Sequence, residues 1–133
     1  MFKPEEFPRN LKRREFYEGS QHSREFKQAL NKTFARLRRS GFTARQNFLC
    51  CQGCACAQLG TEGKKKYAFY HNQDAARMYN DLSVYIAYSN AADGAVIVHC
   101  AEECGLLVFW DGTEAHRIRV AHPFVMQQEA QVA

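Results

Sequence analysis

The sequence predicts an α+β (or α/β) fold: a single domain with a small mixed sheet of about four strands, a C-terminal hairpin, and two or three helices. Three observations favour it. The length of 133 residues suits one domain. Apolar residues recur at helical spacing in the N-terminal third. Further along, strand-like runs alternate with helix-like segments and end in two apolar runs around Asp111-Gly112.

A basic amphipathic helix is predicted over residues 23–40. Its apolar stripe has spacings of four, four and three and consists of Phe26, Leu30, Phe34 and Leu37. Ser23 can cap the start, and Gly41 is placed to end the helix in the left-handed conformation. We expect residues 1–22 to be an irregular basic arm, with aromatic side chains free to dock: Phe2, Phe7 and Phe16.

The remaining elements follow in the domain predicted over residues 23–122. KYAFYH gives a strand near 67–71, and Asn72 can cap a short helix after it. Residues 83–88 are apolar on both faces, which indicates a central strand. A helix is expected over 93–104, starting at Asp93 and ending before Gly105.

The C-terminal hairpin is predicted over residues 106–120. Asp111-Gly112 is a dipeptide preferred in a two-residue type I′ turn, and it lies between the runs LLVFW and HRIRV. Residues 123–133 are expected to form a frayed tail.

Charge and hydropathy limit the classes of partner that the protein can have. Residues 1–40 carry eleven Lys and Arg against five Glu, mostly explained as the solvated face of the helix. Nucleic acid could use Arg36 and Arg39, but a pI near 8.8 is only mildly basic. No apolar run reaches the roughly 18 residues of a membrane span. We therefore expect no membrane contact and a cytoplasmic protein whose six cysteines stay reduced.

The segment QNFLCCQGCACAQL holds four of those cysteines, and three interpretations stay open. Cys51-x-x-Cys54 has the spacing of a zinc knuckle, with His71 as a third ligand and a fourth from Cys50, Cys56 or the C-terminal helix. The cysteines could instead be small residues that let elements pack closely. We expect no cofactor, with zinc as the alternative.

The third interpretation is a reactive thiol. If the segment is extended up to Cys50 and helical from Gly53, Cys51 stands at a helix N-terminus, where the pKa of a thiol is lowered. His71 would then be the base and Asp74 its orienting partner. Three nearby amides could bind a polar ligand, although capping of turns is their usual role. They are Gln46, Asn47 and Gln73.

The motifs TARQNFLCCQGC, YAFYHNQD, VYIAYS and GLLVFWDGTEAHRIRV, in this order, resemble an uncharacterised bacterial family, a domain of unknown function. The resemblance covers about residues 43–120 and implies no activity. It groups the polar residues of the motifs, which are Gln46, Asn47, Cys50, Cys51, Cys54, His71, Gln73, Asp74, Trp110 and Asp111.

Three functions are compatible with these observations. The familiar catalytic fingerprints are missing and the aromatic basic arm could reach a partner, so we expect a non-enzymatic domain that binds a protein. A thiol-dependent enzyme using Cys51, His71 and Asp74 is the alternative. A zinc-stabilised or nucleic-acid-binding module comes third.

Overall fold

A computed structural model describes residues 1–9 and 20–127, and within them the chain forms five α-helices, one 3₁₀ helix and five strands. The helices are the 3₁₀ helix Pro4–Glu6, α1 (Gln21–Arg39), α2 (Gln52–Thr61), α3 (Asn72–Ala75), α4 (Met78–Asp81) and α5 (Ala91–Glu103). The strands are β1 (Thr43–Arg45), β2 (Tyr67–Phe69), β3 (Ser83–Tyr88), β4 (Leu107–Phe109) and β5 (Ile118–Ala121). The predicted α+β single domain is confirmed.

The five strands form one mixed sheet in the order β1-β2-β3-β5-β4. β1 pairs with β2 in parallel, and the other pairs are antiparallel. β3 lies in the middle, as its two apolar faces predicted. The sequence indicated about four strands because β1, with the sequence TAR, lacks the aromatic or aliphatic run that marks β2 and β4.

Helices α1 and α5 cover one face of the sheet and enclose the main core. The side chains of the α1 stripe, Phe26, Leu30, Phe34 and Leu37, are all fully buried there. Gly41 ends α1 with a φ of +93°, as expected. The start differs, because Ser20 accepts a hydrogen bond from the backbone N–H of Ser23 and so caps the helix three residues earlier.

The other face of the sheet carries two smaller clusters. On one side, Ala55 and Leu59 of α2 pack against Phe69 and Ala87. On the other side, Phe7 of the arm packs on a second cluster, whose other buried members are Leu82, Phe109, Ala121 and Val125. A cleft remains between these clusters, over the middle of the sheet.

The described residues of the arm lie against the sheet. The Phe2 backbone bridges to Phe109, and the Phe2 and Phe109 rings stack at 5.1 Å. Phe16, the third aromatic residue expected to dock, lies outside the described residues. Of the predicted tail, residues 124–127 form a helical turn, and residues 128–133 also lie outside the description.

The predicted hairpin forms from β4 and β5, but its turn was wrong. β4 ends at Phe109 and β5 begins at Ile118, which leaves eight residues, 110–117, in the loop rather than two. Asp111 does not close a tight turn, because its carboxylate accepts hydrogen bonds from the backbone N–H and the hydroxyl of Thr113.

Two predicted helix caps were also displaced. His71, not Asn72, caps α3, and Asn90, not Asp93, caps α5. In both cases the true cap is a polar side chain that accepts a hydrogen bond from a backbone N–H three residues later. Among the described residues, no helix combines the length and the apolar composition that crossing a bilayer requires.

Candidate thiol site

The cysteine segment crosses from β1 to α2 through a backbone with unusual conformations. Asn47 and Leu49 have φ of 52° and 60°, in the left-handed region. Two backbone hydrogen bonds hold this turn, from Phe48 N to the Tyr70 carbonyl and from Asn72 N to the Leu49 carbonyl, both at 2.8 Å. The turn therefore delivers the chain to α2 with Cys51 at the N-cap position.

Two sets of contacts hold helix α2 against the sheet: apolar packing along its buried side and an ion pair near its C-terminus. Ala55 and Leu59 face the sheet, while Cys54 is on the exposed side. Near the C-terminus of the helix, Arg45 of β1 donates two hydrogen bonds to Glu62, at 2.8 and 2.6 Å. This pairing holds the pKa of Glu62 down, to about 2. Cys54 and Cys56 thus lie on a helix that is anchored by other residues.

Three thiols converge at the start of α2. The sulfur atoms of Cys50, Cys51 and Cys54 all lie within 4.8 Å of one another, and those of Cys50 and Cys51 are 3.8 Å apart. A tetrahedral zinc ion with bonds of about 2.3 Å to sulfur places its thiolates about 3.8 Å apart. The sulfur atoms are therefore close to the spacing that a bound thiophilic metal requires.

The pKa values of Cys51 and Cys54 are shifted in opposite directions. The backbone N–H of Cys54 lowers the pKa of Cys51 most, followed by the thiols of Cys54 and Cys50. The neighbouring thiols of Cys50 and Cys51 have the opposite effect on Cys54 and raise its pKa to about 11. The pKa of Cys51 therefore lies below that of Cys54, and a cation would help to hold these neighbouring thiols as thiolates.

The site opens to solvent. Cys50 and Cys54 are exposed, and Cys51 is half-buried. The other candidate ligands lie outside the group of three thiols: Cys56 faces the cleft, and Cys100 is buried in the main core. Among the described residues, the metal-sized group at the start of α2 consists of these three thiols.

His71 and Asp74 form a separate unit. The His71 ring is buried, its Nδ1 accepts a hydrogen bond from the Asp74 backbone N–H at 3.3 Å, and its Nε2 lies 3.1 Å from the Asp74 carboxylate. Arg117 donates to the same carboxylate at 2.6 Å. The structure therefore brings His71 and Asp74 together, but it does not include His71 in the thiol group. The catalytic roles assigned to Cys51, His71 and Asp74 stay a prediction.

The remaining predicted site residues are dispersed. Gln46 accepts hydrogen bonds from Lys27 and the Tyr70 hydroxyl, at 2.9 and 3.0 Å, and so joins α1 to the sheet. Asn47 and Gln73 are exposed. On α1, Arg36 pairs with Glu103 at 2.7 Å, while Arg39 points to solvent.

Sequence reasoning missed a second group, formed by His22, Glu25 and His122. The spacing of His22 and Glu25 on α1 was visible, but nothing indicated that His122 would join them. His122 Nδ1 accepts a hydrogen bond from the Phe124 backbone N–H at 2.9 Å, so the neutral ring carries its proton on Nε2, the atom that faces Glu25. In that tautomer Nε2 carries a proton and the lone pair of Nδ1 is engaged by Phe124, so neither ring nitrogen is free for a metal. The three thiols remain the better candidate.

The fold and this site define a small α+β domain with a thiol cluster at the N-terminus of a surface helix. The model of a family described as a domain of unknown function, DUF6891, matches residues 9–128, so the chain belongs to that family. The predicted resemblance to an uncharacterised domain family is confirmed. No curated protein and no solved structure is significantly similar to the chain.

Proposed function

We propose that this protein is a metal-binding domain that holds zinc through Cys50, Cys51 and Cys54. The observation that supports it is the convergence of three sulfur atoms within 4.8 Å at one helix N-terminus. Thiolates are preferred ligands of zinc, and backbone N–H groups that lower the pKa of Cys51 prepare the first ligand. Zinc would then offset the effect of the neighbouring Cys50 and Cys51 thiols, whose hydrogen bonds and charge raise the pKa of Cys54.

The number of thiols favours metal binding over redox chemistry. A dithiol that cycles through a disulfide needs two cysteines, and Cys51 and Cys54 would suffice. Cys50 lies as close to Cys51 as a shared tetrahedral ion requires, at 3.8 Å. A third converging thiol has no role in a simple dithiol, whereas it completes most of a zinc coordination shell.

Three protein ligands leave the fourth coordination position for a group from outside, and the exposed side of Cys50 and Cys54 faces solvent. A water molecule or a side chain of a protein partner would occupy it. This position supports the partner-binding function expected from the sequence better than the arm does, since Phe2 and Phe7 are docked on the chain's own sheet. A reducing, cytoplasmic location belongs to the same proposal, because it keeps the thiols available.

The test is metal content and stability of the purified protein. We expect about one zinc per chain, a lower melting temperature after chelation, and thiolate-to-cobalt absorption bands when cobalt replaces zinc. Cys51→Ser and Cys54→Ser should each abolish stoichiometric binding. Cys56→Ser is the matched control, because Cys56 lies on the same helix outside the group and should retain full binding.

Metal-free protein whose melt is unchanged by added zinc would contradict the proposal, and so would binding that survives Cys54→Ser. A dithiol function would then be favoured by the opposite pKa directions of Cys51 and Cys54. In that case the Cys51 thiolate attacks glutathione disulfide and releases one glutathione, and the Cys54 thiol then displaces the second and loses its proton. Mass spectrometry of the intact chain would detect the resulting loss of two hydrogen atoms.

A further inference from the structure

The cleft on the second face of the sheet has the size of a small-molecule site. It encloses about 600 Å³, within the usual range for ligand pockets. Gln52 and Cys56 of α2 form one wall, and Pro4 of the arm contributes to another. Loop residues Glu114, Ala115 and His116 complete it. None of the three converging thiols lines this cleft, so it is distinct from the proposed metal site.

The floor of the cleft combines an aromatic ring with two guanidinium groups. Tyr85 of β3 is 37% exposed there, and it is paired across the sheet with Arg119 of β5. The guanidinium carbons of Arg117 and Arg119 lie 4.8 and 4.9 Å from the centre of the Tyr85 ring. Both cations therefore lie over the Tyr85 ring, within cation–π distance of its centre.

The two arginines are held in place before any ligand arrives. Arg119 donates to the Ser83 hydroxyl at 3.0 Å and the Tyr85 hydroxyl at 3.1 Å, and its guanidinium lies over the Phe7 ring. Burial lowers the pKa of Arg119. Arg117 is fixed through Nη1 by Asp74. A preorganised cation of this kind binds an anion with little ordering cost.

The loop wall is also ordered. The Trp110 indole N–H donates to the Tyr88 hydroxyl at 3.0 Å, and that hydroxyl lies 2.7 Å from the carbonyl oxygens of Thr113 and His116. These hydrogen bonds fix Thr113 and His116, which lie at the two ends of the loop segment that faces the cleft. The wall of the cleft is therefore ordered by the fold itself.

We propose that this cleft binds a small molecule that carries a planar ring and an anionic oxygen group, phosphate or carboxylate. The ring lies against Tyr85 over the small side chain of Ala87, and the anionic group is bound by Arg117. The lining holds Arg117, Arg119 and His116 against one acidic residue, Glu114. Their carboxylate partners, Asp74, Asp81 and Asp111, lie outside the lining, so the donors that remain free face the cleft. The inference does not depend on zinc.

Binding of phenyl phosphate, measured by calorimetry and by amide shifts in NMR spectra, tests the proposal. Phenyl phosphate should bind at least about tenfold more tightly than inorganic phosphate or phenol, because only the whole probe engages both the ring and the cation. Benzoate distinguishes the two anionic groups: tighter binding of benzoate assigns a carboxylate ligand, and tighter binding of phenyl phosphate assigns a phosphate.

Three variants locate the binding. Arg117→Gln should weaken phenyl phosphate binding about tenfold or more by removing the charged donor. Ala115 is exposed in the wall of the cleft, so the large side chain of Ala115→Trp should block the cleft without disturbing the core. Arg38→Gln, on the exposed side of α1, removes one positive charge outside the cleft lining and should leave binding unchanged.

Equal losses in Arg117→Gln and Arg38→Gln would overturn the proposal, because they would show a non-specific charge effect. Unchanged binding in Ala115→Trp would overturn it too, as would shifts confined to amides outside the cleft. Thermal melts of each variant verify that it is folded, and Ala115→Trp keeps the test decisive if Arg117→Gln unfolds. Failure of zinc binding at the thiols leaves these outcomes unaffected.

Discussion

At the scale of single residues, α5 approaches the residue after β4 closely. Gly94 of α5 lies against the Trp110 ring, whose indole N–H reaches the Tyr88 hydroxyl. A side chain at residue 94 would hold the helix away from the sheet. This one small residue therefore allows Trp110 to be buried against α5 and to hold the loop that forms a wall of the cleft.

Gly94→Ala should destabilise the protein by about 1–3 kcal/mol, as overpacking of a core does. Its Cβ would lie 2.7 Å from Cη2 of Trp110 and 3.3 Å from the Tyr88 ring. Gly60→Ala is the matched control, since Gly60 is also helical but has open space around it. That variant should be neutral or more stable by up to about 1 kcal/mol. Urea unfolding measures both, and equal effects would contradict the packing argument.

At the scale of secondary-structure elements, α1 and α2 use different means of attachment. α1 buries a continuous apolar stripe in the main core, and its basic last turn faces solvent. α2 buries only Ala55 and Leu59, and the paired Arg45 and Glu62 help to hold its far end. α1 is therefore a major source of stability, whereas α2 mainly positions exposed cysteines at its N-terminus.

The stripe of α1 gives a direct prediction. Phe34 is fully buried and packs edge-on against Tyr70 at 5.7 Å, so Phe34→Ala should cost about 3–5 kcal/mol of unfolding free energy. Arg39→Ala, on the exposed side of the last turn, should change it by less than about 0.5 kcal/mol. Chemical denaturation of the two variants compares them, and similar costs would mean that the stripe is not the buried side in solution.

At the scale of the whole molecule, the sheet divides the domain into two unequal layers. The layer with α1 and α5 holds the large continuous core. The opposite layer is built from two separate clusters, one under α2 and one under the arm. Because neither cluster spans the sheet, the cleft remains between them, and the arm becomes part of its wall.

Phe7→Ala tests whether the arm is integral to this second layer. The Phe7 ring lies edge-on to Phe109 at 5.1 Å and beneath the Arg119 guanidinium, so its removal should cost about 2–4 kcal/mol. It should also speed amide exchange in β4 and β5. Lys3→Ala, an exposed arm residue, is the control and should leave both measurements unchanged. Wild-type stability in Phe7→Ala would show that the arm leaves the sheet in solution.

The sequence by itself determined the features that depend on local order along the chain. The α1 stripe, the central strand at 83–88 and the stop at Gly41 follow from periodicity and from the conformational freedom of glycine, so the α+β class could be predicted. Cys51 at the start of α2 was also foreseen, because its neighbours in sequence decide whether a helix begins there.

Only the tertiary structure decided which distant residues meet. The parallel pairing of β1 with β2 and the eight-residue loop between β4 and β5 depend on register across the sheet. Likewise, His71 pairs with Asp74 and Arg117 rather than joining the thiols, while Cys50 completes their group. The cleft arises because two packing clusters fail to meet over the sheet. Such encounters depend on three-dimensional distance, which the spacing of residues along one chain does not contain.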